Sequence, residues 1–160
     1  MKLYILILII LGVGCSTNKK ESESTVSADV PVYSKETLSF GCYTMVFDKD
    51  SAIMQIRASG SDSVFGSLHY NRFEKDDNSG DFAGKVDSNK VVGWYKFQSE
   101  GMITVRQVVF KIIGDKLAEG YGDVNAKGDT AYFTYPHTLQ YEDKHPFIKT
   151  SCPDSSTIKL

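Results

Sequence analysis

The sequence predicts an all-β domain, an antiparallel meander of about eight strands. Three observations carry that expectation. From Phe40 onward, short apolar or alternating runs follow one another; clusters rich in Gly, Asn and Asp separate them at nearly regular spacing; and no stretch sustains a long 3.6-residue apolar period. A meander of that size closes into a barrel or folds over as a β-sandwich. Nearest-neighbour connections without long crossovers favour the barrel, with the sandwich as the alternative.

The runs, in order, are Gly41–Phe47, Ala52–Ala58, Val64–Phe73, Asp81–Val86, Val91–Gln98, Ile103–Ile113, Leu117–Val124, Thr130–Tyr135 and a last piece around Thr138–Thr150. Between them lie Asp48-Lys49-Asp50, Ser59-Gly60-Ser61-Asp62, Asp76-Asp77-Asn78-Ser79-Gly80, Asp87-Ser88-Asn89, Gly114-Asp115-Lys116 and Asn125-Ala126-Lys127-Gly128-Asp129. Each gap offers a residue that tolerates positive φ, as short antiparallel hairpins require. Val108–Ile113 is almost continuously apolar, but it is β-branched and bounded by turns, so it reads as strand.

Strands have period two, so each run divides into two faces. Val91, Gly93, Tyr95 and Phe97 form the interior face of one run, opposite Val92, Trp94, Lys96 and Gln98. Arg106 shares a face with Val108, Phe110 and Ile112, and Glu119 shares one with Leu117 and Tyr121. Two charges on apolar faces of consecutive strands demand partners. The simplest arrangement is an inward Arg106–Glu119 pair hydrogen-bonded by Tyr95 or Tyr121. A bulge in either strand would flip the parity and put the charge in solvent. Arg106, Glu119, Tyr95, Tyr121 and the nearby Glu100 are therefore the candidate ligand-binding residues.

The first residues have a different character. Met1-Lys2 is a minimal positive start, Leu3–Leu11 an unbroken apolar run, and Gly12-Val13-Gly14-Cys15 follows. The run is too short for a membrane helix, which needs about 20 residues, and has the length of a signal-peptide core. Gly14-Cys15 resembles the lipobox of bacterial lipoproteins, although Gly12 stands where that box usually has Leu and Leu11 lies one place further back. The resemblance implies cleavage before Cys15 and acylation of its thiol. It also implies an outer-membrane address, because Ser16 rather than Asp follows the cysteine. Three segments result: a signal peptide at 1–14, an acylated cysteine with a flexible polar tether at 15–38, and one barrel-like domain at 39–160. With Cys15 acylated, Cys42 and Cys152 remain, and two cysteines in an exported chain allow one intramolecular pairing.

The barrel shape resembles the lipocalin and fatty-acid-binding superfamily, without the motif with which lipocalins begin. A closer resemblance lies in Gly41-Cys42-Tyr43, Glu74-Lys75-Asp76-x-Asn78-x-Gly80, Tyr95-x-Phe97-x-Ser99-Glu100-Gly101, Arg106-x-x-Val109-x-Lys111, Glu119-Gly120-Tyr121-Gly122 and Lys149-x-x-Cys152. Together these resemble a group of small lipoproteins of Gram-negative bacteria without an established activity. The resemblance covers nearly all of the folded region and implies the address and the domain limits. It donates no catalytic residue.

Composition narrows the function further. A formal net charge of −2 argues against a nucleic-acid partner and against a polybasic membrane patch, so membrane attachment rests on the lipid anchor. Asp76–Asp81 lacks calcium-loop spacing: counted from Asp76, Gly80 falls at position five and Asp87 at twelve. His69, His137 and His145 stand outside any metal or triad motif, and Met45, Met54 and Met102 read as packing. No catalytic residue, metal or cofactor is expected. Glu100 and Glu119 are the pair an acid–base enzyme would need, but nothing in the sequence sets their separation. The expectation is a membrane-anchored, non-enzymatic envelope lipoprotein that binds a small amphipathic ligand. The alternative is a structural or protein-interaction module with a filled core.

Overall fold

The structure, a computed structural model, describes residues 38–58, 62–99 and 101–152. Among these residues there are eleven strands and no helix: β1 (Gly41–Phe47), β2 (Asp50–Ala58), β3 (Ser63–Asn71), β4 (Asn78–Asp87), β5 (Lys90–Ser99), β6 (Met102–Ile113), β7 (Lys116–Tyr121), β8 (Val124–Lys127), β9 (Thr130–Phe133), β10 (Gln140–Tyr141) and β11 (Phe147–Thr150). β1 to β7 pair in sequence order, and β11 fills the seam between β7 and β1. All eight seams are antiparallel, so the sheet closes into a barrel and the sandwich alternative falls away.

Tight turns drive this order. Asp48, Ser88, Gly114 and Gly128 open two-residue links and all have φ between 54° and 63°. Positive φ at that place gives the turn a twist that matches the flanking strands. The expectation of short connections throughout needs one correction. Residues 122–146 leave the barrel between β7 and β11 and carry β8, β9 and β10. The 125–129 cluster, read as a turn, is mostly strand: Val124–Lys127 pairs with β9, and Gly128-Asp129 alone make the turn. Likewise β4 begins at Asn78, inside the cluster read as turn, because Asn78 and Gly80 pair with Tyr70 and Leu68.

Long β6 forks as a result. Its C-terminal half pairs with β7 through Phe110–Ile113, whereas Val105 and Arg106 pair in parallel with Thr130 and Ala131 of β9. The Gln107 side chain accepts a hydrogen bond from the Phe133 backbone N–H at 3.0 Å and stitches the fork.

Aromatic rings fill the interior. Phe82 meets Phe110 edge-on at 6.1 Å, Phe110 meets Phe147 at 5.6 Å, and Phe147 meets Tyr70 at 6.5 Å. Tyr70 continues to Tyr95 at 5.9 Å, and Tyr95 stacks on Phe97 at 4.6 Å. Met54, Leu68, Val91, Val108 and Leu117 pack around this chain and are almost fully buried. Glycine allows the sheet to curl so tightly: a Cβ on Gly66 would run into the Gln55 carbonyl, and one on Gly80 into the Lys96 carbonyl. At one end Leu38 packs against the core, and the Tyr43 hydroxyl donates to the Ser39 carbonyl at 2.9 Å. Near that end Cys42 is disulfide-bonded to Cys152, with Cα atoms 4.9 Å apart.

Candidate functional site

The other end of the barrel gathers the C-terminal ends of β1, β3, β5 and β7, and the candidate residues meet there. Parity places them. Tyr95 and Arg106 are cross-strand partners, as are Phe110 and Glu119, and each pair shares the inward face. Glu119 is the one charged residue among those classed as buried in the described chain, at 6% exposure.

Glu119 obtains its hydrogen bonds from phenols. Tyr70, on the strand diametrically opposite β7, donates to Oε1 at 2.8 Å, and Tyr121 donates to Oε2 at 3.0 Å. Arg106 Nη2 lies 3.5 Å from Oε1, long for a charge-assisted bond, which runs at about 2.7–2.9 Å. Its guanidinium rests instead near aromatic faces, 5.4 Å from the Tyr70 ring centre and 5.9 Å from that of Tyr95. Arg72 joins from just beyond β3, 5.5 Å from the same Tyr70 ring.

Of the residues expected here, Arg106, Glu119, Tyr95 and Tyr121 come together; Glu100 and Cys15 lie outside the described residues. Tyr95 does not bond the carboxylate. Its ring is held flat against Phe97, and its buried hydroxyl has no partner. Tyr121 fills the expected role, and Tyr70 adds a second phenol. Sequence reasoning missed Tyr70 and Arg72, although Val64, Gly66, Leu68, Tyr70 and Arg72 form an alternating series that applies the same parity test to β3.

The Glu119-Gly120-Tyr121-Gly122 motif has a packing reason. Glu119 and Tyr121 face the site, and the glycines face outward beneath the 122–146 excursion. A Cβ on Gly120 would lie 3.1 Å from both Leu139 and Tyr141, and one on Gly122 would lie 2.7 Å from Leu139. The excursion lies over this outer face, where Val109 and Ala118 are also buried. Beside the site a cleft of about 190 Å³ opens between Met45, Phe47, Phe147 and Tyr121 on its apolar side and Glu142 and His145 on its polar side, with Glu119 at its wall. Glu142 is occupied locally, accepting hydrogen bonds from the backbone N–H groups of Lys144 and His145.

Three phenols here resist ionisation. Burial pushes Tyr70 well above its ordinary value of 10.0, and the neighbouring Glu119 charge adds to the rise. Burial also raises Tyr95, against the pull of Arg106 and Arg72, and it raises Tyr121 together with Glu119. A phenol whose folded pKa exceeds its unfolded one contributes stability that is fully present below about pH 10 and is lost as pH rises further. Alkaline titration followed at the phenolate absorbance should therefore show two phases. Exposed tyrosines ionise first, and the buried group ionises only together with loss of the circular-dichroism signal. A single phase completed in the folded state would contradict the burial of Tyr70.

Chemically the arrangement suits binding. Glu119 accepts two phenolic hydrogen bonds, and Arg106 keeps most of its donors. Comparison with protein-family models, with curated proteins and with solved structures returns no match.

Proposed function

We propose that this chain is a lipid-anchored envelope protein of a Gram-negative bacterium, held at the outer membrane through Cys15, whose barrel receives a small amphipathic ligand at its mouth. The observation that carries the reading is the loose tie between Arg106 and Glu119. Two phenols already satisfy the buried carboxylate, so Arg106 is not needed to keep it there, and its side chain remains 31% exposed at the barrel end. The adjoining cleft supplies apolar wall. The anchor rests on the sequence before and at Cys15. No catalytic step is assigned.

Two experiments test this reading. Cys15→Ala should move the protein from the membrane to the soluble envelope fraction; wild-type protein found wholly soluble after lysis would remove the lipoprotein assignment. Native mass spectrometry of protein purified from its own host should find a small molecule bound.

A second reading has support in the aromatic filling of the barrel. An interior occupied by Phe82, Phe110, Phe147, Tyr70 and Tyr95 suits a structural or protein-interaction module. The outer face offers such a module Phe65 and Trp94, both more than 40% exposed and flanking Ala83 across β3, β4 and β5. Protein from the host that carries no small molecule favours this alternative.

A further inference from the structure

We propose that the barrel mouth binds a singly charged oxyanion, a carboxylate or a phosphodiester, between the guanidinium groups of Arg72 and Arg106, with the apolar remainder of the ligand against the Met45, Phe47 and Phe147 side of the cleft. This deepens the ligand-binding reading above and rests on it.

Charge at the mouth favours an anion. Both guanidinium groups stand within 5.5 Å of one ring, that of Tyr70. Among the described residues the carboxylate bonded into this group is that of Glu119, and its oxygens are taken by the hydroxyls of Tyr70 and Tyr121. The Arg72 side chain makes no hydrogen bond or ion pair among the described residues; its backbone carbonyl accepts from the Lys75 N–H at 3.2 Å. Two cations beside one anion leave a single positive charge against aromatic walls. There a singly charged anion relieves the repulsion between the guanidinium groups. An unmet donor lies beside these charges. The Tyr95 hydroxyl is buried, has no partner, and belongs to a ring 5.9 Å from the Arg106 guanidinium. A phenol beside the Arg106 fork, with the Arg72 charge also acting on it, matches the oxygen geometry of a carboxylate or phosphodiester, and Lys would not substitute for either Arg at equal strength.

The ligand's source is a free amphiphile or a lipid in a bilayer, and the test separates the two. The full chain carrying Cys15→Ala is titrated by NMR with octanoate, octyl methyl phosphate, octylammonium and octanol, and is sedimented with phosphatidylglycerol or phosphatidylcholine vesicles. The two anionic octyl compounds should bind. Arg72→Met and Arg106→Met should each weaken that binding roughly tenfold, with Arg106→Lys intermediate. The urea midpoint should stay in place, since Glu119 keeps both phenols. Binding of the monomers alone marks a free ligand; sedimentation with phosphatidylglycerol but not phosphatidylcholine vesicles marks a bilayer lipid. Octanol or octylammonium binding as tightly as octanoate, or anion binding indifferent to both Arg72 and Arg106, overturns the anion assignment and leaves the ligand-binding reading standing. Absence of binding to every amphiphile and to both vesicles overturns the two together.

Discussion

Phe110→Ala is expected to destabilise the protein by about 3–5 kcal/mol, the cost typical of removing a buried aromatic ring from a packed core. Phe110 is fully enclosed and meets Phe82 at 6.1 Å and Phe147 at 5.6 Å, with interplanar angles of 88° and 89°. Edge-to-face contacts of this kind add to the area burial, and the surrounding strands are too strongly hydrogen-bonded to collapse into the void. Urea unfolding should show a lower midpoint with an unchanged slope. Phe65→Ala, on the exposed outer face, serves as the control and should change stability by no more than about 0.5 kcal/mol. A Phe110→Ala cost below about 1 kcal/mol would mean that the barrel interior is not packed, and would reverse the balance between filled core and cavity.

Removing the Cys42–Cys152 bridge, by Cys42→Ser with Cys152→Ser, should cost about 2–5 kcal/mol. The sequence separation is 110 residues, and the chain-entropy account gives ~4.7 kcal/mol for a closed loop of roughly that size, with less often realised. The location matters as much as the loop. β11 has four residues and closes the barrel, pairing with β1 through Cys42, Tyr43 and Thr44 and with β7 through Leu117 and Lys116. Cys152 ties the chain just beyond that strand. Without the bridge, the amide hydrogens of β1 and β11 should exchange well before those of β3, β4 and β5. In unreduced wild-type protein, denaturation should leave neither cysteine open to thiol labelling. An unaltered urea midpoint in the double variant would show that the clasp adds nothing to stability.

The sequence by itself determined what is local. Alternation along Val91–Gln98, Ile103–Ile113 and Leu117–Tyr121 sets which side chains share a face, because a strand's period is two whatever it pairs with. Two-residue turns then pass that parity from one strand to the next, which brings Arg106 beside Glu119. The expectation that Cys15 is set apart left Cys42 and Cys152 as the one intramolecular pairing, and these two are bonded. Tertiary structure alone decided what depends on strands far apart in the chain. Tyr70 reaches Glu119 across 49 residues because β3 and β7 stand opposite each other in the closed barrel, a juxtaposition no hairpin register implies. The same closure brings Arg72 to the ring that Arg106 covers; of the two phenols expected at the carboxylate, Tyr121 reaches it and Tyr95 does not. The fork of β6 and the strand character of Val124–Lys127 were equally out of reach. Asn125, Gly128 and Asp129 within five residues favour a turn, and only the exposed edge of β9 offered that segment a ladder of backbone hydrogen bonds that outweighed local preference.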